Sequence, residues 1–207
     1  MKKLAIFGAG GHGRVIADIA LASGWSNIEF YDDLSSQKSN GPWSILGDFK
    51  MLIASAAEYD GVIVAIGNAD SRWLKQCDLA NAGAKLTTLI HPFSSVSDYA
   101  TLGTGSVVMP GAVINTGASI GDACIINTGA TVDHDCEIGL ASHICPGAHL
   151  AGSVIIGNFS WIGIGSSISQ NIRIGSKVFL GAGTVVIKDV ADNSKMVGNP
   201  ARLIGWA

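Results

Sequence analysis

The sequence predicts two folded parts in series, an α/β half domain followed by an all-β parallel β-helix. Three observations carry this reading: a strict six-residue period through the second half, alternating strand and helix patterns through the first, and a Gly-rich turn at the end of the first strand. The composition fits a folded protein. Mean hydropathy is +0.38 and only 14% of residues are charged, so the chain has the apolar content for a core and lacks the charge of a disordered segment. A net charge of −3 without a basic cluster argues against nucleic acid as a partner. No apolar run is long enough to span a bilayer. The start, MKKLAIFGAGG, turns into a Gly-rich loop after Phe7, which fits a first strand and not a signal peptide. Cys77, Cys124, Cys136 and Cys145 lack metal or disulfide spacing, which fits packed, reduced thiols in a cytoplasmic protein.

The repeat comes first. From Thr101 to Val190 the chain divides into hexapeptides without a slip, and the second residue of each, every sixth position from Leu102 to Val186, is Leu, Ile or Val. The sixth residue is mostly Ser, Ala, Cys or Thr. Helices repeat near 3.6 residues and ordinary strands near two, so neither fits. A solenoid does: each short strand sends one aliphatic inward, and each corner takes a small residue or Gly. Three hexapeptides close a triangular coil, and coils stack at roughly 4.8 Å. The period does not fix the hand of the helix. The tail from 191 to 207, with Asn199-Pro200-Ala201-Arg202, is expected to cap the open end.

Residues 1–90 form the other part, and 91–100 are expected to be a connector. Leu4–Phe7 reads as a buried strand, followed by Gly8-Ala9-Gly10-Gly11-His12-Gly13 and a helix carrying Val15, Ile16, Ile19 and Ala20. Asn27–Tyr31 is a second strand ending at Asp32-Asp33, and 61–66 a third entering Gly67-Asn68. A helix over 71–82 and a short strand over 86–90 complete a parallel, Rossmann-like half domain. Gly8-x-Gly10-x-x-Gly13 with Asp32 matches a dinucleotide fingerprint, in which glycines admit a phosphate to a helix N-terminus. A full dinucleotide fold needs two such halves. One half suits a mononucleotide-sized ligand, such as the diphosphate of an activated sugar.

In the repeat, His134 stands in Thr131-Val132-Asp133-His134-Asp135-Cys136, away from the inward position held by Val132. A His beside carboxylates can serve as a general base, and it can equally be a plain surface residue. His143 follows half a coil later, so the two side chains leave the prism on different sides, and a site using both suggests an oligomer. His134, His143 and His149 also raise a rival reading, a three-His metal site between subunits. That reading leaves the N-terminal part without a purpose, and no metal is expected. Cys136 is a candidate for an acyl-cysteine, but its sixth position is a packing position.

With these residues in view, the whole chain resembles the NeuD/PglD-like sugar acetyltransferases. The match runs through Phe7-Gly8-Ala9-Gly10-Gly11-His12-Gly13-Arg14-Val15, Tyr31-Asp32-Asp33, Ala65-Ile66-Gly67-Asn68, Ile90-His91-Pro92, Asn127 to Gly139, His143 to Ala148 and Val197-Gly198-Asn199-Pro200-Ala201. The resemblance implies a left-handed β-helix, a homotrimer with active sites between subunits, and acetyl-CoA as co-substrate. It implies His134 as the general base tuned by the residue after it, here Asp135 and in some members the longer Glu. It implies His143, Gly152, Ile164 and Gly181 as acetyl-CoA contacts, and Gly10, Gly11, His12, Asp32, Asp33, Gly67 and Asn68, with Arg72 nearby, as the nucleotide-sugar site, His12 reaching the sugar. The expected reaction is N-acetylation of a nucleotide-linked 4-amino-4,6-dideoxy sugar for surface glycan synthesis. O-acetylation of sialic acid, and nucleotide-sugar binding without catalysis, are the alternatives.

Overall fold

A computed structural model of the chain describes residues 2–206, which fall into two compact units divided between His91 and Pro92. In the first unit, β1 (Lys3–Phe7) pairs in parallel with β2 (Asn27–Tyr31) on one side and with a strand at Gly61–Val64 on the other. A hairpin of β3 (Ser39–Asn40) and β4 (Trp43–Gly47) extends the sheet beyond β2, and Gly61–Val64 is β5. Helices α1 (Gly11–Ala22), α2 (Phe49–Ser55) and α3 (Ala69–Asn81) connect them. β1 and β5 are apolar on both faces and fully buried from Leu4 to Phe7 and from Gly61 to Val64, the pattern of parallel strands covered on each side. Strand order reverses at β1, so the turn after Phe7 is the switch point where ligands bind in open α/β sheets.

Three details differ from the sequence reading. The β3–β4 hairpin and α2 arise from a stretch of mixed, short-range pattern that gave no expectation. α3 begins at Ala69, two residues early, because the Asn68 side chain accepts the Ser71 N–H at 2.9 Å and caps it. Val15, expected on the apolar face of α1, is 40% exposed; the helix buries Gly13, Ile16, Ala17, Ile19 and Ala20 instead.

The second unit is a parallel β-helix of two-residue strands six residues apart. The first face stacks 95–96, 113–114, 131–132, 149–150, 167–168 and 185–186; the second stacks 101–102, 119–120, 137–138, 155–156 and 173–174; the third stacks 107–108, 125–126, 143–144, 161–162 and 179–180. Each strand pairs with its equivalent eighteen residues on, as Ile114 with Val132 and Val132 with Leu150. The second residue of each pair points inward, and Val108, Ile126, Val132, Ile144, Ile162 and Leu180 are fully buried in one continuous core. Small sixth-position residues pack at the corners: Ser106, Ser142 and Ser160 are buried, and each hydroxyl donates to a backbone carbonyl of the same corner in the next coil.

The helix starts earlier than expected. Ser95–Val96, inside the supposed connector, already pairs with Val113–Ile114, and Val96 and Ala100 obey the six-residue rule. It ends where the last corner loses two residues, so that Val190 bridges to Ile174 across sixteen residues instead of eighteen. Strand Ser194–Val197 then extends the third face beside Phe179–Leu180, and Arg202–Trp206 pairs with it antiparallel. Among the described residues, no helix is long and apolar enough to cross a membrane.

Candidate active site

In the first unit, the Gly-rich turn is held closed by its own backbone. Gly8 has φ +112°, and a Cβ there would stand 2.6 Å from the Ala65 carbonyl oxygen; one at Gly13 would strike the Gly8 carbonyl. Gly10, Gly11 and Gly67 have nothing within 4 Å of where a Cβ would be, so the α1 N-terminus is open to a ligand. Asp32 is spent largely on the turn. Its Oδ2 accepts the Ala9 N–H at 2.7 Å and its Oδ1 accepts the Leu34 and Ser35 N–H groups, both at 2.7 Å. Asp33 accepts the Phe49 N–H at 2.8 Å and the Lys75 ammonium at 3.0 Å. Partial burial opposes ionisation of Asp33, but these two donors outweigh it and hold its carboxyl below the usual range.

Two residues the sequence reading did not place here complete the picture. Lys75 of α3 lies 3.7 Å from the Phe49 ring centroid and lines, with Phe7, Gly8, Asp33, Leu34 and Ile66, a pocket of about 330 Å³. Ser71 lines it too. Nothing in the local sequence of α3 marks either residue; only the docking of α3 beside β1 brings them there. Arg72 is 1% exposed and donates Nη1 to the Ile66 and Gly67 carbonyls at 2.9 and 2.8 Å, pinning the loop that carries Gly67 and Asn68. Asn68 spends its side-chain oxygen on the cap of α3. His12 sits beside this cation. Burial first, and Arg72 second, bring its pKa down to about 4, and its buried Nε2 has no hydrogen-bond partner among the described residues. A neutral imidazole with a polar atom left over is a group prepared for a ligand.

In the β-helix, His134 and Asp135 form the corner between the first and second faces. Nδ1 of His134 lies 2.9 Å from Oδ2 of Asp135, so the shorter carboxylate makes direct contact. Asp135 can do so because its backbone is left-handed, φ +58°, a conformation Asp tolerates. The Asp135 hydrogen bond is the main cause that raises the His134 pKa above its ordinary value, with Asp133 adding to it and slight desolvation opposing. Asp133 is itself tied down. Its Oδ1 accepts the Asn115 amide at 2.8 Å and the His134 N–H at 2.7 Å, which hold its carboxyl below the usual range. The imidazole lies over Gly152, one coil on: a Cβ there would stand 2.5 Å from Cε1 of His134 and closer still to Nε2. Asp135 in turn occupies space left by Gly117, one coil back, whose Cβ would meet Oδ1 at 2.5 Å. The dyad is therefore framed by two positions without side chains. A groove of about 560 Å³ opens from Asp135 along the second face past Ser119, Glu137, Leu140 and Ile155.

The residues implied as acetyl-CoA contacts do not all gather here. Gly152 shares the corner of His134. His143 is on the third face, 7% exposed, with Nε2 2.9 Å from the Asn127 amide nitrogen and its ring edge-on to Trp161 at 4.5 Å. Ile164, 57% exposed, and Gly181 follow third-face strands at the far side. His149 is hydrogen-bonded through Nδ1 to Thr131 at 3.0 Å, and no cluster of three His, Cys, Asp or Glu side chains fit to hold a metal forms among the described residues. Cys136 is buried and its Sγ donates to the Ala151 carbonyl at 3.2 Å; burial raises its pKa, so the thiol stays protonated.

The chain is similar to known proteins along its whole length. Residues 3–78 match the PglD N-terminal domain family. The structure superposes on the acetyltransferase domain of PglB from Neisseria gonorrhoeae FA1090, solved in complex with acetyl coenzyme A, with TM-score 0.95 and 43% identity over 98% of this chain and 99% of that one. PerB from Caulobacter crescentus, solved in complex with CoA and GDP-perosamine, matches with TM-score 0.94 and 34% identity over 99% and 98%. WeeI from Acinetobacter baumannii AYE matches with TM-score 0.90 and 28% identity over 99% and 100%. Fold and relatives together define an acetyl-CoA-dependent acetyltransferase built on a left-handed β-helix. The chain belongs to the PglD/NeuD-like family of sugar acetyltransferases.

Proposed function

We propose that this protein N-acetylates a nucleotide-linked 4-amino-4,6-dideoxy sugar by direct transfer from acetyl-CoA, as a cytoplasmic homotrimer serving surface-glycan synthesis. The observation that carries the reading is the His134–Asp135 dyad. Its Nδ1–H donates to Asp135, which fixes the tautomer and leaves the Nε2 lone pair over the open space at Gly152. The acceptor amine attacks the thioester carbonyl carbon. A C–N bond forms, the amine proton passes to Nε2, and backbone N–H groups receive the oxyanion. Collapse then breaks the C–S bond, and the CoA thiolate takes the proton from the imidazolium. The likeness to PerB, which was solved with GDP-perosamine, supports a nucleotide-linked amino sugar over sialic acid.

In this reading Gly10 and Gly11 admit the diphosphate to the α1 N-terminus, Asp32 and Asp33 order the pocket rim, and Gly67 and Asn68 border it. Nε2 of His12, buried and unbonded, meets a sugar hydroxyl or amine. His143, Ile164 and Gly181 contact acetyl-CoA from one chain while His134 and Gly152 act from the next, because one prism holds the two sets on different sides. That division is the reason for the trimer. The test is thiol release from acetyl-CoA with a panel of nucleotide-linked 4-amino sugars and free sialic acid. His134→Ala is expected to lower kcat by about 10²–10⁴ with melting temperature and assembly unchanged; undiminished turnover refutes the base, and release with sialic acid alone refutes the acceptor.

A further inference from the structure

The second face of the β-helix carries a carboxylate that the fold itself does not use. From Pro92 to Ile172 there are five carboxylates and no Lys or Arg. Three of the five are spent. Asp122 accepts the Thr104 N–H at 2.7 Å, Asp133 accepts the Asn115 amide and the His134 N–H, and Asp135 holds the His134 ring. Asp98 lies two coils before His134, away from the dyad. Glu137 is different. It is exposed, and its side chain makes no hydrogen bond or ion pair among the described residues.

Position gives this free carboxylate a use. Glu137 opens the second-face strand three residues after His134, so their α-carbons are at most about 11 Å apart. As the first residue of its strand it points outward, opposite the buried Ile138. It lines the same groove of about 560 Å³ as Asp135 of the dyad. Its neighbours one coil away on the face are Ser119 and Ile155, and both line the groove together with Leu140. Arg173, the nearest cation on that face, stands two coils off, roughly 10 Å, and makes no ion pair with it. Beside the base there is thus one unpaired negative charge with an apolar wall next to it.

A 4-amino-4,6-dideoxy sugar presents the matching pair. Its aliphatic amine is protonated near neutral pH, and the ring carbon next to the one bearing the amine carries a methyl group. An ammonium seeks a carboxylate, and a methyl group seeks apolar surface. Neighbouring strands roughly 4.8 Å apart set Glu137 and Ile155 side by side for two such adjacent groups. A hydroxyl in place of the amine could still donate to Glu137, but it brings no charge. When the bound ammonium loses one proton to solvent, the amine keeps an N–H donated to the carboxylate and has its lone pair free for attack.

We propose that Glu137 binds the acceptor amine, with the sugar's methyl group on Ile155 and Leu140, and that it thereby selects an amine over a hydroxyl. This assignment rests on the amino-sugar reading of the acceptor and makes Glu137 a specificity residue beside the base. Calorimetry without any acyl donor would compare two ligands: the nucleotide-linked 4-amino-4,6-dideoxy sugar that the parent acetylates, and its analogue with a hydroxyl at carbon 4. The proteins are the parent, Glu137→Gln and Glu137→Asp. Glu137 is exposed, and melting curves check that the variants fold. Glu137→Gln is expected to weaken the amino sugar about tenfold and the hydroxyl analogue by less than about twofold, so that the parent's preference disappears. Glu137→Asp, which keeps the charge, should restore part of it. An unchanged Kd for the amino sugar in Glu137→Gln, or an equal loss for both ligands, would overturn the assignment while leaving the amino-sugar reading in place. A parent that acetylates no amino sugar would overturn that reading and this assignment with it.

Discussion

Alanine at position 152 adds one methyl group beneath the imidazole of His134. The backbone accepts it, because Gly152 is not in the left-handed region. The side chain above does not. The new Cβ would lie 2.5 Å from Cε1, whereas ordinary van der Waals contact begins near 3.4 Å, so the ring must retreat by about 1 Å. His134 is half-exposed, with 54% of its side chain open, and can swing outward without disturbing the core. The expected result is a folded protein with a displaced base. A misplacement of about 1 Å costs roughly 10²-fold in rate when geometry is what the site provides. Steady-state kinetics at saturating acetyl-CoA should therefore show kcat of Gly152→Ala down by about 10², with melting temperature near the parent value. The pH profile of the residual activity should also move, because the ring leaves its contact with Asp135. Parental kcat, or a loss accompanied by unfolding, would refute the claim that Gly152 is empty to seat the imidazole.

Four further outcomes follow from the same geometry. Asp135→Asn keeps a residue that tolerates φ +58° but removes the charge that raises the His134 pKa; the acid limb of the kcat/KM profile should shift to lower pH while the plateau falls, and an unmoved limb would exclude Asp135 from tuning the base. His12, whose pKa falls from 6.5 unfolded to about 4 folded, leaves the unfolded chain holding the extra proton between those values. Stability should therefore drop by about 3 kcal/mol as pH falls through that window, and His12→Asn should flatten this slope in denaturant titrations. Cys136→Ala, a residue type common at sixth positions, should retain near-parental turnover and so exclude an acyl-cysteine; loss of activity in the folded variant would restore it. Ile144→Ala, fully buried between Ile126 and Ile162, should cost about 2–5 kcal/mol in chemical denaturation.

The β-helix was legible because its rule is local: one inward aliphatic at every sixth residue leaves no competing period. The same rule, applied to Val96 and Ala100, already reached into the stretch expected to be a connector. The β3–β4 hairpin and α2 were not legible, because their strands and helix are short and their stability comes from packing beside β2. At the site, the adjacency of His134 and Asp135 was plain, while the reach of the shorter carboxylate depends on a left-handed corner that no residue type announces. The role of Gly152 lay in arithmetic, since eighteen residues separate it from His134; it was read only as a cofactor contact. Lys75 and Ser71 were obscure for another reason. They reach the pocket only through the docking of α3, and a helix pattern gives no sign of what its polar face will meet.

A prism whose layers repeat every eighteen residues measures distance in whole steps. Between the dyad corner and the C-terminal hairpin there is a count of coils, and each insertion or deletion of one coil changes the separation by a single increment of about 4.8 Å while leaving both ends chemically intact. Reach along such a scaffold is thus inherited as an integer. A related protein with a taller or shorter prism follows from duplicating or losing one eighteen-residue unit, with no residue of either end redesigned.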